Sequence, residues 1–120
     1  MDLRTSVYAI VRLVPRGSVV SYGDIAGMLA MSPRMVGRFM ALCEEEDVPF
    51  WRVVNSYGDL PPHVRVHALE HWHEEGLALK PNGLGVAIRR YRADLAVLAD
   101  AAEAALGPLP GLEDDDSFTE

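Results

Sequence analysis

The sequence predicts a mostly α-helical fold with small β elements, built around a helix-turn-helix. Apolar residues recur at helical spacing in several short segments, and two of these segments are adjacent, each with its own capping residue. The chain has 120 residues, 49% of them hydrophobic, which suits a single domain with a modest core. No segment has the length and apolar character of a membrane span, and there is no secretion signal, so we expect a cytoplasmic protein.

The first helix is predicted where the apolar pattern begins, at Leu3, and it ends near Val14. Asp2 and Thr5 are available as early caps. A turn at residues 15–17 and a short extended piece at residues 18–20 follow.

The next two helices form the helix-turn-helix. "SYGDIAGMLAM" begins with a capping box made by Ser21 and Asp24. "SPRMVGRFMALC" begins with Ser32 as N-cap and Pro33 at the first helical position. In such an arrangement the second helix usually contacts DNA.

The charge distribution supports a nucleic-acid partner despite the net charge of −7. Residues 1–92 carry 11 basic and 10 acidic side chains, whereas residues 93–120 carry eight acidic ones and no basic one. Arg34 and Arg38 are four residues apart, so both project from one side of the third helix, away from Met35 and Phe39. These features predict a winged helix-turn-helix-like DNA-binding domain. A solvated charged face is the alternative for the two arginines.

The second half of the chain predicts a strand at residues 52–54, a turn with Gly58, and a fourth helix from about Pro62 to Glu75. We expect that helix to bury Val66, Leu69 and Trp72. A hairpin around residues 81–83 is predicted next, with residues 86–90 as its second strand. The domain would then cover residues 1–92, followed by an alanine-rich helical extension at 93–107 and a disordered acidic tail at 108–120.

The sequence contains weak indications of two other kinds of site, a metal site and a reactive cysteine. His63, His67 and His71 lie four residues apart, but three imidazoles along one helix cannot surround a tetrahedral ion unaided, so we expect an exposed, pH-sensitive helix face and no metal. Cys43 is the single cysteine, and the acidic run Glu44–Asp47 after it disfavours a reactive thiolate.

The family signal comes from three sequence blocks. "VPRGSVVSYGDIA", "SPRMVGRFM" and "VPFWRVV", followed by a Gly-containing turn and a helix ending "EEG", resemble the DNA-binding domain of the O6-alkylguanine-DNA alkyltransferases over about residues 3–90. In that family a Pro-Cys-His-Arg-Val strand supplies the acceptor cysteine and its activating histidine. Here Phe50 and Trp51 stand at these two positions, while Pro49, Arg52 and Val53 match. This combination resembles the alkyltransferase-like proteins, in which the nucleophile is replaced.

The resemblance implies the roles of individual residues. The recognition helix would enter the minor groove, Arg34 would fill the gap left by an extruded guanine, and Tyr22 would press on the adjacent phosphate. Glu75 would orient polar groups behind the site. The residues assigned to a lesion pocket are Tyr22, Phe50, Trp51, Arg52 and Glu75, and those assigned to DNA binding are Ser32, Arg34, Gly37, Arg38 and Ala41.

The sequence therefore predicts a non-enzymatic, monomeric protein without cofactor or membrane partner, which binds O6-alkylguanine in duplex DNA by base flipping. The resemblance further implies that it marks damage for nucleotide excision repair proteins. A transcription regulator without a lesion pocket, and an enzyme using Cys43 as acceptor, remain as alternatives. Phe50 and Trp51 as core residues, Tyr22 as a hydrophobic staple and Arg34 as a surface charge are the structural alternatives.

Overall fold

The computed structural model describes residues 2–112 and consists of six α-helices, one 3-10 turn and one small sheet. Strands β1 and β2 are parallel, with Val20 opposite Val53 and Ser21 opposite Val54. No helix in the described part of the chain is long and apolar enough to cross a membrane. In chain order the elements are α1 (Leu3–Leu13), β1 (Val20–Ser21), α2 (Tyr22–Leu29), α3 (Pro33–Ala41), the 3-10 turn (Phe50–Arg52), β2 (Val53–Val54), α4 (Pro62–Glu74), α5 (Ile88–Tyr91) and α6 (Leu95–Leu106).

The caps that define the helix-turn-helix are those the sequence predicts. The Ser21 hydroxyl accepts a hydrogen bond from the Asp24 N–H, and the Asp24 carboxylate accepts one from the Ser21 N–H, completing the capping box of α2. Ser32 caps α3 by accepting from the Met35 N–H at 3.1 Å. Between the two helices, Ala30 adopts a left-handed conformation with φ of 55°, which ends α2 and turns the chain into α3.

The small sheet separates two hydrophobic clusters. Because side chains alternate across a strand, Val20 and Val53 point into a first cluster formed mainly by α1, α2 and α6, whereas Val19 and Val54 point into a second cluster beneath α4. Trp72 is the largest fully buried side chain, and it lies in the second cluster. The sheet therefore lies between α4 on one side and the helix-turn-helix on the other.

The predicted buried face of α4 is wrong in part. Trp72 is buried, but Val66 and Leu69 are 59% and 41% exposed. The face that packs inward follows Trp72 back along the helix at four-residue spacing, through Ala68 to Val64. Ala68 is fully buried, whereas the larger Leu69 is partly exposed.

The predicted hairpin is shorter than expected. Antiparallel bridges join Leu79 to Val86 and Asp59 to Gly85, but the predicted strand over residues 86–90 ends there and α5 begins at Ile88. A Cβ on Gly85 would overlap the carbonyl oxygen of Gly58, so the two backbones approach more closely than side chains would permit. The predicted strand at 52–54 is likewise reduced to β2, because the 3-10 turn occupies residues 50–52.

The C-terminal segment corrects the predicted boundary of the tail. Helix α6 packs on α1 and buries Leu98 and Ala102 in the first cluster. Beyond it, Leu109 is buried and the Gly111 N–H donates to the Met28 carbonyl oxygen at 2.9 Å. Residues 108–112 are thus packed against the helix-turn-helix, contrary to the predicted disorder, and the rest of the predicted tail, residues 113–120, lies outside the described residues.

Candidate nucleic-acid interface

A cavity of about 350 Å³ opens between α3, the 3-10 turn and the start of α4. Its volume falls within the range of pockets that hold small molecules, about 300–1,000 Å³. Apolar side chains form most of its wall. The lining residues are Tyr22, Gly37, Met40, Ala41, Cys43, Glu45, Val48, Phe50, Val53, Leu60, Pro61, His63, Val64 and His67.

Phe50 lines this cavity without filling it. Its ring is half-buried and meets the Trp51 ring edge-on, with centroids 5.3 Å apart and planes at 88°. The same ring lies edge-on to His71 at 6.0 Å. These contacts fix its orientation, since aromatic pairs favour edge-to-face geometry. Phe50 is therefore held in a defined orientation on the cavity wall by its aromatic neighbours.

Tyr22 lies on the cavity wall at the first position of α2. Burial raises the pKa of its phenol above the ordinary 10.0, so the hydroxyl stays protonated near neutral pH and can donate a hydrogen bond. A Cβ on Gly37 of α3 would lie 3.6 Å from the Tyr22 ring, an ordinary contact distance. Packing within the chain therefore does not require glycine at position 37.

Trp51 is not where the sequence analysis placed it. It is absent from the described residues that line the cavity, and its ring stacks on His71 with centroids 3.6 Å apart and an interplanar angle of 4°. Its Nε1–H donates to the Glu75 carboxylate at 2.7 Å. Successive side chains of the 3-10 turn over residues 50–52 diverge by about one third of a turn, so Phe50 faces the cavity while Trp51 contacts His71 and Glu75.

Glu75 holds the back of the site together. Its carboxylate, whose side chain is 2% exposed, accepts hydrogen bonds from the Gly17 N–H at 2.9 Å and from Trp51. It also pairs with the guanidinium of Arg52, with Nη2 at 2.7 Å and Nε at 3.1 Å. Arg52 Nη1 donates to the Val14 carbonyl oxygen at 2.9 Å. Neither Arg52 nor Glu75 lines the cavity; together they tie the 3-10 turn to α1 and α4.

The electrostatics of Glu75 follow from these bonds. Burial by itself raises the pKa of a carboxyl, but the hydrogen bonds from Arg52, Gly17 and Trp51 favour the ionised form. Their combined effect outweighs burial, so the pKa of Glu75 lies below its ordinary 4.5. Glu75 is therefore an ionised structural anchor at neutral pH.

Helix α3 connects the cavity to a basic outer surface. Arg34 and Arg38 are exposed on its outer side, while Gly37 and Ala41 lie on the cavity wall. Ser32 lies at the N-terminus, where its hydroxyl caps the helix. A DNA backbone held by the outer side of α3 would therefore lie next to the cavity mouth.

Several lining residues have no role in the sequence analysis. Leu60 and Pro61 follow the turn after β2 and share the cavity wall with Phe50. His63 and His67 also lie on the cavity wall, although the sequence places them only on an exposed helix face. Within the described residues, no group of three histidine, cysteine or acidic side chains comes together as a metal site.

Residues 2–79 match the family model for the 6-O-methylguanine DNA methyltransferase DNA-binding domain. The chain belongs to this family. A DNA base-flipping protein of Thermus thermophilus is 40% identical over 65 residues, which are 54% of this chain and 37% of that relative. A DNA base-flipping protein of Vibrio parahaemolyticus is 29% identical over 90 residues, 72% of this chain and 90% of the relative. This chain therefore spans little more than a third of the Thermus relative.

Two solved structures of this family share the fold. The crystal structure of S. pombe Atl1 in complex with damaged DNA containing O6-carboxymethylguanine has a TM-score of 0.67 and 29% identity, covering 78% of this chain and 99% of that chain. A structure of S. pombe ATL in complex with DNA gives a TM-score of 0.66 with the same identity and coverage. The mostly α, helix-turn-helix-like fold and the alkyltransferase-like resemblance are thereby confirmed.

Proposed function

We propose that this protein recognises O6-alkylguanine in duplex DNA by rotating the damaged base out of the helix and holding it in the cavity beside α3. The observation that carries the proposal is the cavity itself: about 350 Å³, with Tyr22 and Phe50 on its wall, directly next to the exposed arginines of α3. The similarity to DNA base-flipping proteins and to Atl1 in complex with damaged DNA supports it.

The apolar wall favours an alkylated guanine over a normal one. Alkylation at O6 removes the N1 hydrogen of guanine and adds apolar bulk, so the modified base loses less by leaving water for an apolar cavity. A base stacked on an aromatic side chain gains about 1–3 kcal/mol, which Phe50 can supply. Extrusion costs least for a damaged pair, which adds to the discrimination.

Arg34 and Arg38 have different roles in this mechanism. Arg34, at the start of α3, would enter the space that the extruded base leaves, as the family resemblance implies. Arg38, one turn further along, would neutralise a phosphate. We therefore expect Arg34→Ala to remove most of the preference for damaged DNA, and Arg38→Ala to weaken binding to damaged and undamaged duplexes alike, lowering the slope of log affinity against log salt by about 1.

Base extrusion can be measured with 2-aminopurine opposite or next to the lesion, whose fluorescence rises on unstacking. We expect a rise on binding an O6-methylguanine duplex, little rise in Arg34→Ala, and retention in Arg38→Ala at saturating protein. An unchanged signal with bound wild-type protein would show that the base stays stacked.

We propose that no alkyl transfer accompanies binding. A phenyl ring at position 50 cannot accept an alkyl group, and the Trp51 indole can only donate a hydrogen bond, so it cannot act as a base. Phe50→Cys alone should therefore not create a transferase. Ready uptake of alkyl groups by this variant would contradict the argument that Trp51 cannot act as a base.

Cys43 is the one thiol of the chain, and its position on the cavity wall makes an enzyme using it the alternative to test. The half-buried Cys43 lies beside Glu45, whose carbonyl oxygen is 3.9 Å from Sγ. Intact-mass measurement after incubation with an O6-methylguanine duplex separates the two functions. We expect no mass increase, and a methyl increment lost in Cys43→Ser would identify an alkyl acceptor.

We propose further that a single copy of the protein binds each lesion and that the complex marks it for nucleotide excision repair proteins. The family resemblance supports this step, and a transcription regulator without lesion preference is its rival. Repair of O6-alkylguanine plasmids in extract, with and without the protein, tests it directly.

A further inference from the structure

Two histidines lie on the wall of the cavity, and the proposed mechanism assigns them no role. His63 and His67 are one turn apart on α4, so their imidazoles lie on the same side of the helix. Both are exposed, which places them at the solvent side of the cavity. The remaining two histidines of the helix differ: His71 stacks on Trp51, and His73 is exposed and is not among the lining residues.

The rest of the wall contrasts with this pair. Val48, Val53 and Leu60 are buried, and they form an apolar floor with Phe50. A guanine held against this floor would direct its O6 substituent either into the apolar part or towards the histidines. An apolar methyl group gains nothing from an imidazole, whereas a substituent that ends in a hydrogen-bond acceptor or an anion does.

The other ionisable groups on the cavity wall do not prevent the two histidines from binding an anionic substituent. Tyr22 and Cys43 are neutral when protonated, and Glu45 carries the negative charge of the lining set. Arg12 pairs with Glu45 at 3.2 Å and with Asp47 at 2.9 Å, which offsets that charge.

The described lysine and arginine side chains are absent from the cavity wall. Arg65 lies on α4 between the two histidines but is not a lining residue, and Arg16 donates to the Glu74 carbonyl oxygen at the far end of the helix at 2.8 Å. Helix α4 packs on the 3-10 turn, whose charged side chain, Arg52, is engaged by Glu75. On α4 itself, Glu70 lies one turn beyond His67 and Glu74 lies 3.9 Å from His71. His63 and His67 are therefore the groups on the wall best placed to meet an anionic substituent.

We propose that His63 and His67 form a subsite for O6 substituents that end in a carboxylate, so that the cavity prefers such adducts over simple alkyl groups when the imidazoles are protonated. The inference rests on the proposed function of the cavity. A protonated imidazole donates from both ring nitrogens, and its bonds to a carboxylate are charge-assisted. Histidine ordinarily changes charge between about pH 5 and 8, so the preference would vary across the physiological range.

The test compares three duplexes that differ at one base: guanine, O6-methylguanine and O6-carboxymethylguanine. Affinities are measured at constant salt from about pH 8 down to about pH 5.5, the range in which imidazoles titrate. Low pH raises the affinity for every DNA, so the informative quantity is the ratio of the carboxymethyl to the methyl affinity. We expect this ratio to rise about threefold to tenfold on acidification, the size of one or two charge-assisted contacts near the surface.

Variants assign the effect to the two side chains. His63→Gln with His67→Gln should give a ratio that no longer depends on pH, whereas His73→Gln, on the same helix outside the cavity, should behave as wild type. His63→Arg with His67→Arg carries permanent charge, and it should restore the carboxymethyl preference at both ends of the pH range.

The outcomes separate the inference from the function on which it rests. If both lesions bind more tightly than guanine but their ratio is constant with pH, or if His73→Gln alone abolishes its pH dependence, the histidine subsite is wrong while lesion recognition stands. If all three duplexes bind equally, the proposed function itself fails.

Discussion

Truncation of Glu75 gives the sharpest prediction for the architecture behind the site. Glu75→Ala removes the acceptor for three groups, the Gly17 N–H, the Trp51 indole and the Arg52 guanidinium, and it leaves Arg52 without a counter-charge at 15% exposure. Removing one partner of a buried ion pair costs about 3–5 kcal/mol. Because Arg52 keeps some solvent contact and its bond to the Val14 carbonyl, we expect the lower end, about 3 kcal/mol of unfolding free energy. Glu75→Gln, which keeps one oxygen, should cost about 1.5–3 kcal/mol.

Urea unfolding followed by tryptophan fluorescence measures this cost, since Trp51 contacts Glu75 directly. Glu74→Ala is the matched control: its side chain is 56% exposed and adjacent in sequence, so its effect should stay within about 0.5 kcal/mol. A loss of less than about 1 kcal/mol in Glu75→Ala, at an unchanged urea dependence, would refute the reasoning that the Glu75 cluster anchors the 3-10 turn.

Three further predictions concern acid stability and two glycine positions. The pKa of Glu75 is lower in the folded protein than its ordinary 4.5, so the ionised carboxylate contributes fully to the free energy of unfolding above about pH 4.5. This contribution is lost as the pH falls below that value, and Glu75→Gln should therefore make stability less dependent on pH in the acid range. Gly58→Ala should cost several kcal/mol in thermal or urea unfolding, because φ is +89° and the new Cβ would overlap the Val86 carbonyl oxygen, and near-neutral behaviour would show that the hairpin relaxes. Gly27→Ala, within α2 and with no atom beyond its own helix within 4 Å of the added Cβ, should instead stabilise by about 0.5–1 kcal/mol, and a loss would indicate a constraint from the nearby C-terminal segment.

The parts of the fold that could be predicted from the sequence are those set by local interactions. The caps Ser21 and Ser32 act on backbone groups within three residues, so the two helices of the helix-turn-helix start where their sequence indicates. The face of α4 depends on which side meets the sheet. Its hydrophobic residues lie on more than one side, so spacing could not show that Ala68 packs inward and Leu69 does not.

The candidate site also contains residues that could be predicted from the sequence and residues that could not. Tyr22, Phe50, Gly37 and Ala41 meet at the cavity, as the family resemblance implies for Tyr22 and Phe50. The resemblance implied a pocket position for Trp51, whereas its stacking on His71 and its hydrogen bond to Glu75 are contacts between distant parts of the chain, for which the sequence has no local signal. His63 and His67 lie on the cavity wall because α4 packs on the 3-10 turn over residues 50–52. This long-range contact has no local signal in the sequence, although the four-residue spacing does place both histidines on one face of the helix.

The affinity of the protein for a duplex containing O6-methylguanine, compared with the same duplex containing guanine, tests the central claim most directly. Both are measured at one stated salt concentration, because phosphate contacts from α3 contribute equally to each. We predict a preference of about tenfold or more for the lesion, equivalent to about 1.4 kcal/mol. Equal affinities would contradict the account, and they would leave a helix-turn-helix protein that binds DNA without reading damage.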